Sequence, residues 1–361
     1  MRPDQLKIAF YAPLKPPDHP TPSGDRQVAR LLIAALTRAG HQVQVASKLR
    51  AYLPDPGDGA ALSRMMSEAT AERDRIATLW QVQGAPDLWF CYHPYCKSPD
   101  LIGPELARRF ALPWFSAEAS LSSRRNVGIW AMTQAAVADA VAGAAQNFAM
   151  TRRDQQGLLT WLPKARVTAL PPFLDLDALP PAAALNGNRI VTVAMMRSGD
   201  KMDSYRALAA TLARLEHLDW RLAIAGDGPL RDQVRSLFPA GRVDWLGQLS
   251  PPEVAAHLAQ GCLYLWPGCG EAYGMTYLEA GAAGLPVVAW ATAGVPEVVS
   301  DGETGLLAPE GDTAALAAHV ARLLADPALR QRLGQAARAR VQARHGLDGA
   351  AAILDRAMRQ A

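Results

Sequence analysis

Short apolar runs alternate with segments of helical periodicity along this chain, and they do so twice. In the first set, residues 8–12, 42–46, 87–92, 114–117, 146–150 and 167–170 read as strands. Residues 26–39, 100–110 and 129–144 read as helices, the first closed by Gly40. Leu62, Met65, Met66, Ala69, Ile76 and Leu79 fall on one helical stripe, a pattern that packs a core. A proline-rich stretch, residues 171–181, then runs into residues 182–187 and ends on Asn186-Gly187, which marks a stiff connection. The second set follows, with strands at 189–194, 221–225, 243–246, 263–266 and 287–290. Its helices lie at 205–215, 230–237, 252–260, 275–283, 313–324, 327–344 and 350–359. Strands alternating with helices predict an α/β protein with parallel sheets, here as two doubly wound domains. Ligands of such folds bind in the crevice at the C-terminal ends of the strands.

Composition fits this picture. With 361 residues, half of them hydrophobic and a fifth charged, the chain is long enough for two domains with cores of their own. The apolar run at 8–12 is too short for a signal-peptide core and is stopped by Pro13, and the longest apolar stretch, around 280–296, is broken by Gly and Pro. Cys91, Cys96, Cys262 and Cys269 lack metal-ligand spacing and read as reduced thiols, so a cytoplasmic protein is expected. Net charge is +3, unevenly divided. Residues 1–175 hold 20 Lys/Arg against 15 Asp/Glu, and the remainder 17 against 19. Solvated helix faces account for the doublets Arg108-Arg109, Arg124-Arg125 and Arg152-Arg153; the alternative is a front half that faces an anionic membrane or a phosphorylated acceptor. No basic stripe interleaved with aromatics points to nucleic acid.

The candidate chemistry centres on Glu271-Ala-Tyr-Gly-Met-Thr-Tyr-Leu-Glu279. A strand, a Gly-containing turn and a helix place backbone N–H groups at a helix N-terminus, where an anion is favoured. One carboxylate precedes that helix and the other lies about one turn into it. Phosphate suits the amides and sugar hydroxyls suit the carboxylates, so the pattern fits a nucleotide sugar.

The run from Glu271 through Gly-Leu-Pro-Val-Val to Ala293-Gly-Val-Pro-Glu-Val-Val-Ser-Asp-Gly-Glu-Thr-Gly305 resembles the retaining GT-B glycosyltransferases of family 4, also called group 1. The resemblance runs along the second half and more thinly into the first. It implies two Rossmann-like domains facing each other across a cleft: 1–180 on the acceptor side, a linker at 181–188, a donor domain at 189–344, and a final helix, 345–361, crossing back. It also implies that Arg197 and Lys201 bind the donor diphosphate, where a forked donor and a point charge hold the negative charge that grows as the glycosidic bond breaks. Both residues stand near Asp200 and Asp203, and a surface ion pair is the plainer reading. By the same resemblance Glu279 accepts from ribose hydroxyls, Glu271 holds hydroxyls of the transferred sugar, and the amides around Gly274, Met275 and Thr276 meet the phosphates. Gly226-Asp227-Gly-Pro matches a turn at the cleft rim, and the segment with Leu246 matches one beside the nucleobase. Gly24, in Pro22-Ser-Gly-Asp-Arg, matches a glycine-rich loop.

One position departs from the family pattern. A Thr-x-His after the strand at 114–117 is common there, and this chain has Ser116-Ala-Glu118. A carboxylate can accept a sugar hydroxyl, but it donates only when its pKa is raised. His93, at the end of another strand, is the other catalytic candidate, and His19 is a candidate for the acceptor. The expected activity is cytosolic, metal-independent transfer of a hexose, with retention, from a UDP-, GDP- or ADP-linked sugar to a glycan or lipid-linked acceptor, in cell-envelope, exopolysaccharide or glycolipid synthesis. No cofactor is expected. The acceptor oxygen attacks from the face the diphosphate leaves, the phosphate takes the proton, and closure about the linker excludes water. The rivals are a nucleotide-sugar binding protein without transfer activity and a GT-B-fold epimerase.

Overall fold

The computed structural model describes residues 5–21, 23–177 and 181–360. Pro22, expected in the first loop, and residues 178–180, expected at the end of the first domain, lie outside the described residues. The chain forms two compact units: residues up to Pro171 together with those from Leu347 onward, and Pro172–Gly346.

The first unit runs β1 (Lys7–Tyr11), α1 (Gly24–Arg38), β2 (Gln42–Val45), α2 (Gly59–Gln83), β3 (Leu88–Tyr92), α3 (Gly103–Arg109), β4 (Trp114–Ala117), α4 (Gly128–Ala142), β5 (Gln146–Ala149), α5 (Arg152–Trp161) and β6 (Val167–Ala169). Its six strands are parallel in the order β2-β1-β3-β4-β5-β6. β3 and β4 are buried at every position, which is why their sequences are near-continuous apolar runs rather than alternating ones. Phe10, Phe90, Phe115 and Phe148 form a ladder across β1, β3, β4 and β5, with neighbouring centroids 5.8–6.5 Å apart. Trp89 and Trp114 donate their indole N–H groups to the buried Asp100 (2.8 and 3.1 Å), which also accepts from the amides of Ile102 and Gly103. That carboxylate caps α3 from inside the core. The stripe expected on α2 is corrected at one position. Met66 is exposed, and Ala77 and Trp80 join Leu62, Met65, Ala69 and Ile76 in burial.

The last helix, Leu347–Gln360, buries Leu347, Ala350, Ala351, Leu354, Ala357 and Met358 against α1, a 3.6-residue periodicity that leaves Asp348, Arg356 and Arg359 outward. Arg38 pairs with Asp348 (2.8 Å), and the buried His41 stands 3.2 Å from Asp355. The chain therefore ends on the first unit.

The second unit contains β7 (Arg189–Val193), α6 (Asp200–Ala213), β8 (Arg221–Ala225), α7 (Arg231–Arg235), β9 (Val243–Gly247), α8 (Pro251–Ala259), β10 (Leu263–Leu265), α9 (Met275–Ala282), β11 (Val287–Trp290), α10 (Val295–Val298), β12 (Gly305–Ala308), α11 (Thr313–Ala325) and α12 (Pro327–Arg344). The parallel order is β12-β11-β10-β7-β8-β9. Its entry and exit segments are stitched together, because Leu174 N donates to His345 O (2.8 Å) and the His345 ring lies 2.6 Å from Pro172 O. The expected linker, residues 181–188, falls within this unit. Ala183 N donates to Ala283 O (2.8 Å), and Arg330 Nε donates to Leu185 O (3.2 Å). Those bonds satisfy the backbone of a proline-flanked stretch that has no ladder of its own.

Candidate functional site

In the second sheet β7 lies between β8 and β10, so the connections leaving β7 and β10 diverge to opposite sides. This is the topological switch point, where an open α/β sheet leaves a crevice. Arg197 and Lys201 follow β7, and Glu271 follows β10. Residues 197–201 and 269–271 line one pocket of about 340 Å³. Lys201 Nζ forms a short ion pair with Glu271 Oε1, both side chains being mostly buried, while Asp203 pairs with Arg206 instead. Arg197 is exposed, and no partner for it is present among the described residues. The plainer reading, a surface pair of Lys201 with its acidic neighbours, is not what the fold builds.

The N-terminus of α6 lines this pocket, and that of α9 begins four residues after the lining Glu271. α6 starts after Gly199 and α9 after Gly274, and no side chain caps either of them. Uncapped first turns leave amide N–H groups and the positive end of the helix dipole for an anion. The loop that carries Glu271 is held to α6: Cys269 N donates to Ser204 Oγ (2.8 Å), and Ser204 Oγ donates to Asp200 O (2.8 Å). Gly270 has φ +61°, and a Cβ there would stand 2.4 Å from the Asp200 carboxylate, so only glycine lets the loop lie this close.

The turn Gly226-Asp227-Gly-Pro is a buttress. Met196 N donates to Asp227 O (2.9 Å) and Leu230 N to Met196 O (3.0 Å), which fixes the strand end that presents Arg197. A Cβ on Gly226 would lie 1.8 Å from Ala194 O. Leu246, on the edge strand β9, is partly exposed. Thr276 is held by Tyr264 Oη, which donates to its hydroxyl (2.9 Å). Glu279, on the second turn of α9, has neither a hydrogen-bond partner nor a cation among the described residues, and burial alone pushes its pKa from 4.5 to about 7.

Sequence reasoning missed Trp266. Its indole N–H donates to Glu271 Oε1 (3.1 Å), and Lys201 Nζ stands 5.5 Å from its ring centroid. The apolar run 263–267 hid it as one more core residue, and only the 70-residue pairing of Lys201 with Glu271 shows what it touches.

In the first unit the switch point lies between β1 and β3. Gly24 opens α1, and Asp25 follows it. His93 and Glu118 sit directly after β3 and β4 with φ of +58° and +55°. Left-handed backbone at two non-glycine residues is held only where its surroundings enforce it. His93 Nδ1 lies 3.2 Å from Asp25 Oδ1. Burial is the largest influence on His93 and lowers its pKa, but the bond to Asp25 and the charges of Glu118, Asp25 and Asp154 bring the net direction up. Burial raises Asp25, yet the bond and charge of His93, with Lys15, take it below its ordinary value. Burial raises Glu118; His93 and a hydrogen bond from Tyr92 oppose this, and Asp154 and Asp25 add to it. The sequence reading singled out His93 and Glu118 but gave no role to Asp25 or Asp154, which come from other elements. His19 is used locally, its ring accepting from Thr21 N (3.1 Å).

Among the described residues no group of three or more His, Cys, Asp or Glu is placed to hold a metal ion, and no helix is long and apolar enough to cross a membrane.

Residues 187–326 match the family model described as "Glycosyl transferases group 1". A curated relative, the GDP-mannose-dependent alpha-(1-6)-phosphatidylinositol monomannoside mannosyltransferase of Mycolicibacterium smegmatis, is 34% identical over 200 residues, covering 49% of this chain and 52% of that protein. The chain spans from 20% of the length of one curated relative to 55% of another. Among solved structures, a sucrose-phosphate synthase from Thermosynechococcus elongatus superposes with TM-score 0.80 at 20% identity over 98% of both chains. Anabaena HepE in complex with UDP-glucose superposes with TM-score 0.72 at 16% identity, covering 99% of this chain and 100% of that one. At these identities the structural likeness is one of fold.

Proposed function

We propose that this protein, whose residues 187–326 match the group 1 glycosyltransferase model and whose fold is shared with a sucrose-phosphate synthase, moves a hexose, with retention and without a metal, from a nucleoside diphosphate sugar to an acceptor hydroxyl. One observation carries the reading: Arg197, Lys201 and Glu271 converge on a single pocket at the sheet's switch point, which the uncapped N-terminus of α6 also lines. The donor diphosphate takes Arg197, Lys201 and the first-turn amides at Gly274, Met275 and Thr276. Glu271 takes hydroxyls of the sugar and Glu279 those of the ribose. The bond from the anomeric carbon to the phosphate oxygen breaks, the acceptor oxygen bonds that carbon on the same face, and the acceptor's proton passes to the leaving phosphate. Fixed positive charge at the pocket stabilises that phosphate more as its charge grows, which is what accelerates the step.

The names of relatives support a nucleotide-sugar donor: one is GDP-mannose-dependent, and a structural neighbour was solved with UDP-glucose. The acceptor in this proposal is a glycan or lipid-linked sugar of the cell envelope, an exopolysaccharide or a glycolipid. His93, Asp25 and Glu118 form its acceptor-side constellation, with Glu118 in the place where histidine is commoner. The protein works in the cytoplasm, and its basic front half contributes attraction to an anionic membrane face.

A thermal-shift panel of UDP, GDP, ADP and their sugars tests the reading, since a specific ligand raises the melting temperature by mass action. No shift with any of them would sink it. Binding without turnover by the wild-type protein would favour a binding protein, and an epimerised donor would favour an epimerase.

A further inference from the structure

We infer that Trp266 is a positioning residue for Glu271 and, through it, sets recognition of the transferred sugar apart from recognition of the diphosphate. This rests on the donor-site reading above. Two donors share one acceptor atom: Lys201 Nζ and Trp266 Nε1 both reach Glu271 Oε1. They differ in what holds them. The lysine ammonium is a point charge on a flexible stem, drawn to whichever anion is strongest. The indole is locked in place. Trp266 is fully buried, the Tyr205 ring meets it edge-on at 5.0 Å, its amide donates to Val288 O (3.1 Å), and its carbonyl accepts from Tyr277 Oη (3.0 Å).

A diphosphate carries more charge than a carboxylate, so when it enters, Lys201 turns from Glu271 to the phosphate. Glu271 then loses its ion pair. Without a second donor its carboxylate would swing toward water, and the sugar hydroxyls would have to recapture it at an entropic cost. Trp266 keeps Oε1 occupied through that exchange. Oε2, which no donor among the described residues reaches, remains for a ligand hydroxyl. The tryptophan therefore contributes nothing to holding the bare nucleotide and contributes directly to holding the sugar.

Calorimetric titration of UDP, GDP and ADP, each against its glucose ester, into wild type, Trp266→Phe, Glu271→Ala and the double variant tests this. Phenylalanine leaves an aromatic ring to face Tyr205 and removes the N–H donor, together with the volume of the second ring, a loss that does not depend on whether the ligand carries a sugar. The expected result is a roughly tenfold rise in the dissociation constant of the sugar-bearing ligand, with that of the bare nucleotide within twofold of wild type. In the Glu271→Ala background, Trp266→Phe changes the ratio no further. A uniform loss with both ligands, an unchanged ratio, or a full effect that persists without Glu271 overturns the inference. In the wild-type protein the Trp266 indole proton, followed by NMR, shifts more with the sugar-bearing ligand than with the nucleotide; equal shifts overturn the inference without recourse to a variant. Failure of all three nucleotides to bind wild type removes the donor-site reading, and this inference with it.

Discussion

Replacing Glu279 by Gln should stabilise the protein at alkaline pH while weakening nucleotide binding. The carboxyl lies on α9 with no partner among the described residues, and burial pushes its pKa from 4.5 to about 7. At about 1.4 kcal/mol per pH unit, that gap corresponds to about 3 kcal/mol, an upper figure because the residue keeps some contact with solvent. The sign follows from proton counting. Between pH 4.5 and about 7 the folded protein keeps a proton that the unfolded chain has released, so this group's contribution is lost as pH rises through that window. Glutamine has nothing to release. Urea denaturation of wild type and Glu279→Gln across pH 4.5 to 8 should show equal stability at the acid end and a variant more stable by up to about 3 kcal/mol at pH 8. The same variant should bind UDP, GDP or ADP at least tenfold more weakly, because a carboxylate accepts from two ribose hydroxyls and an amide oxygen accepts less strongly. In wild type the affinity should rise with pH through about 7, as the ionised form that the ribose prefers becomes populated. A variant no more stable than wild type at pH 8, or a gain of equal size at pH 4.5, would refute the assignment of an unpaired buried carboxyl.

Other outcomes can be checked alongside. Lys201→Ala should lower kcat by about 10²–10³-fold, a loss of about 3–4 kcal/mol of transition-state stabilisation, in a transferase assay that scores released nucleotide. Gly226→Ala should cost more than about 3 kcal/mol in urea unfolding and abolish nucleotide binding, because the new Cβ would meet Ala194 O at 1.8 Å and displace the turn that presents Arg197; a wild-type midpoint would show that the turn has room to move. His257 is buried and its pKa is lowered to about 4, chiefly by desolvation and also by Arg189. Its contribution is therefore present above the ordinary value of 6.5 and lost as pH falls toward about 4, about 3 kcal/mol in all, and His257→Leu should remove that slope. This trend opposes that of Glu279 over much of the same window, so each is read from the difference between variant and wild type. The basic excess of residues 1–175 predicts pelleting with anionic vesicles at low salt and release at about 0.5 M salt; protein left in the supernatant at low salt would remove the membrane proposal.

The sequence by itself determined the elements and the motif. Strands such as β3 and β4 are legible because parallel strands buried on both faces must be apolar throughout, and α9 is legible because a helix start needs a Gly turn and then residues free of strong breakers. The eight-residue spacing of Glu271 and Glu279 is likewise local, set by one turn and one helix. The partners of those residues are not local. Lys201 meets Glu271 across 70 residues and His93 meets Asp25 across 68, because the order in which parallel strands assemble decides which loops emerge side by side. That order is written in no periodicity. The same holds for Trp266, whose apolar run looks alike whether its indole N–H faces the core or a carboxylate, and for Asp25 and Asp154, to which local pattern assigns no role. It holds for residues 181–188, which follow a proline-rich stretch and read as a linker, while their backbone is bound to Ala283 and Arg330. Local pattern fixes what each segment becomes; the assembled sheet fixes which charges must share a pocket, because only there does desolvation force them to find one another.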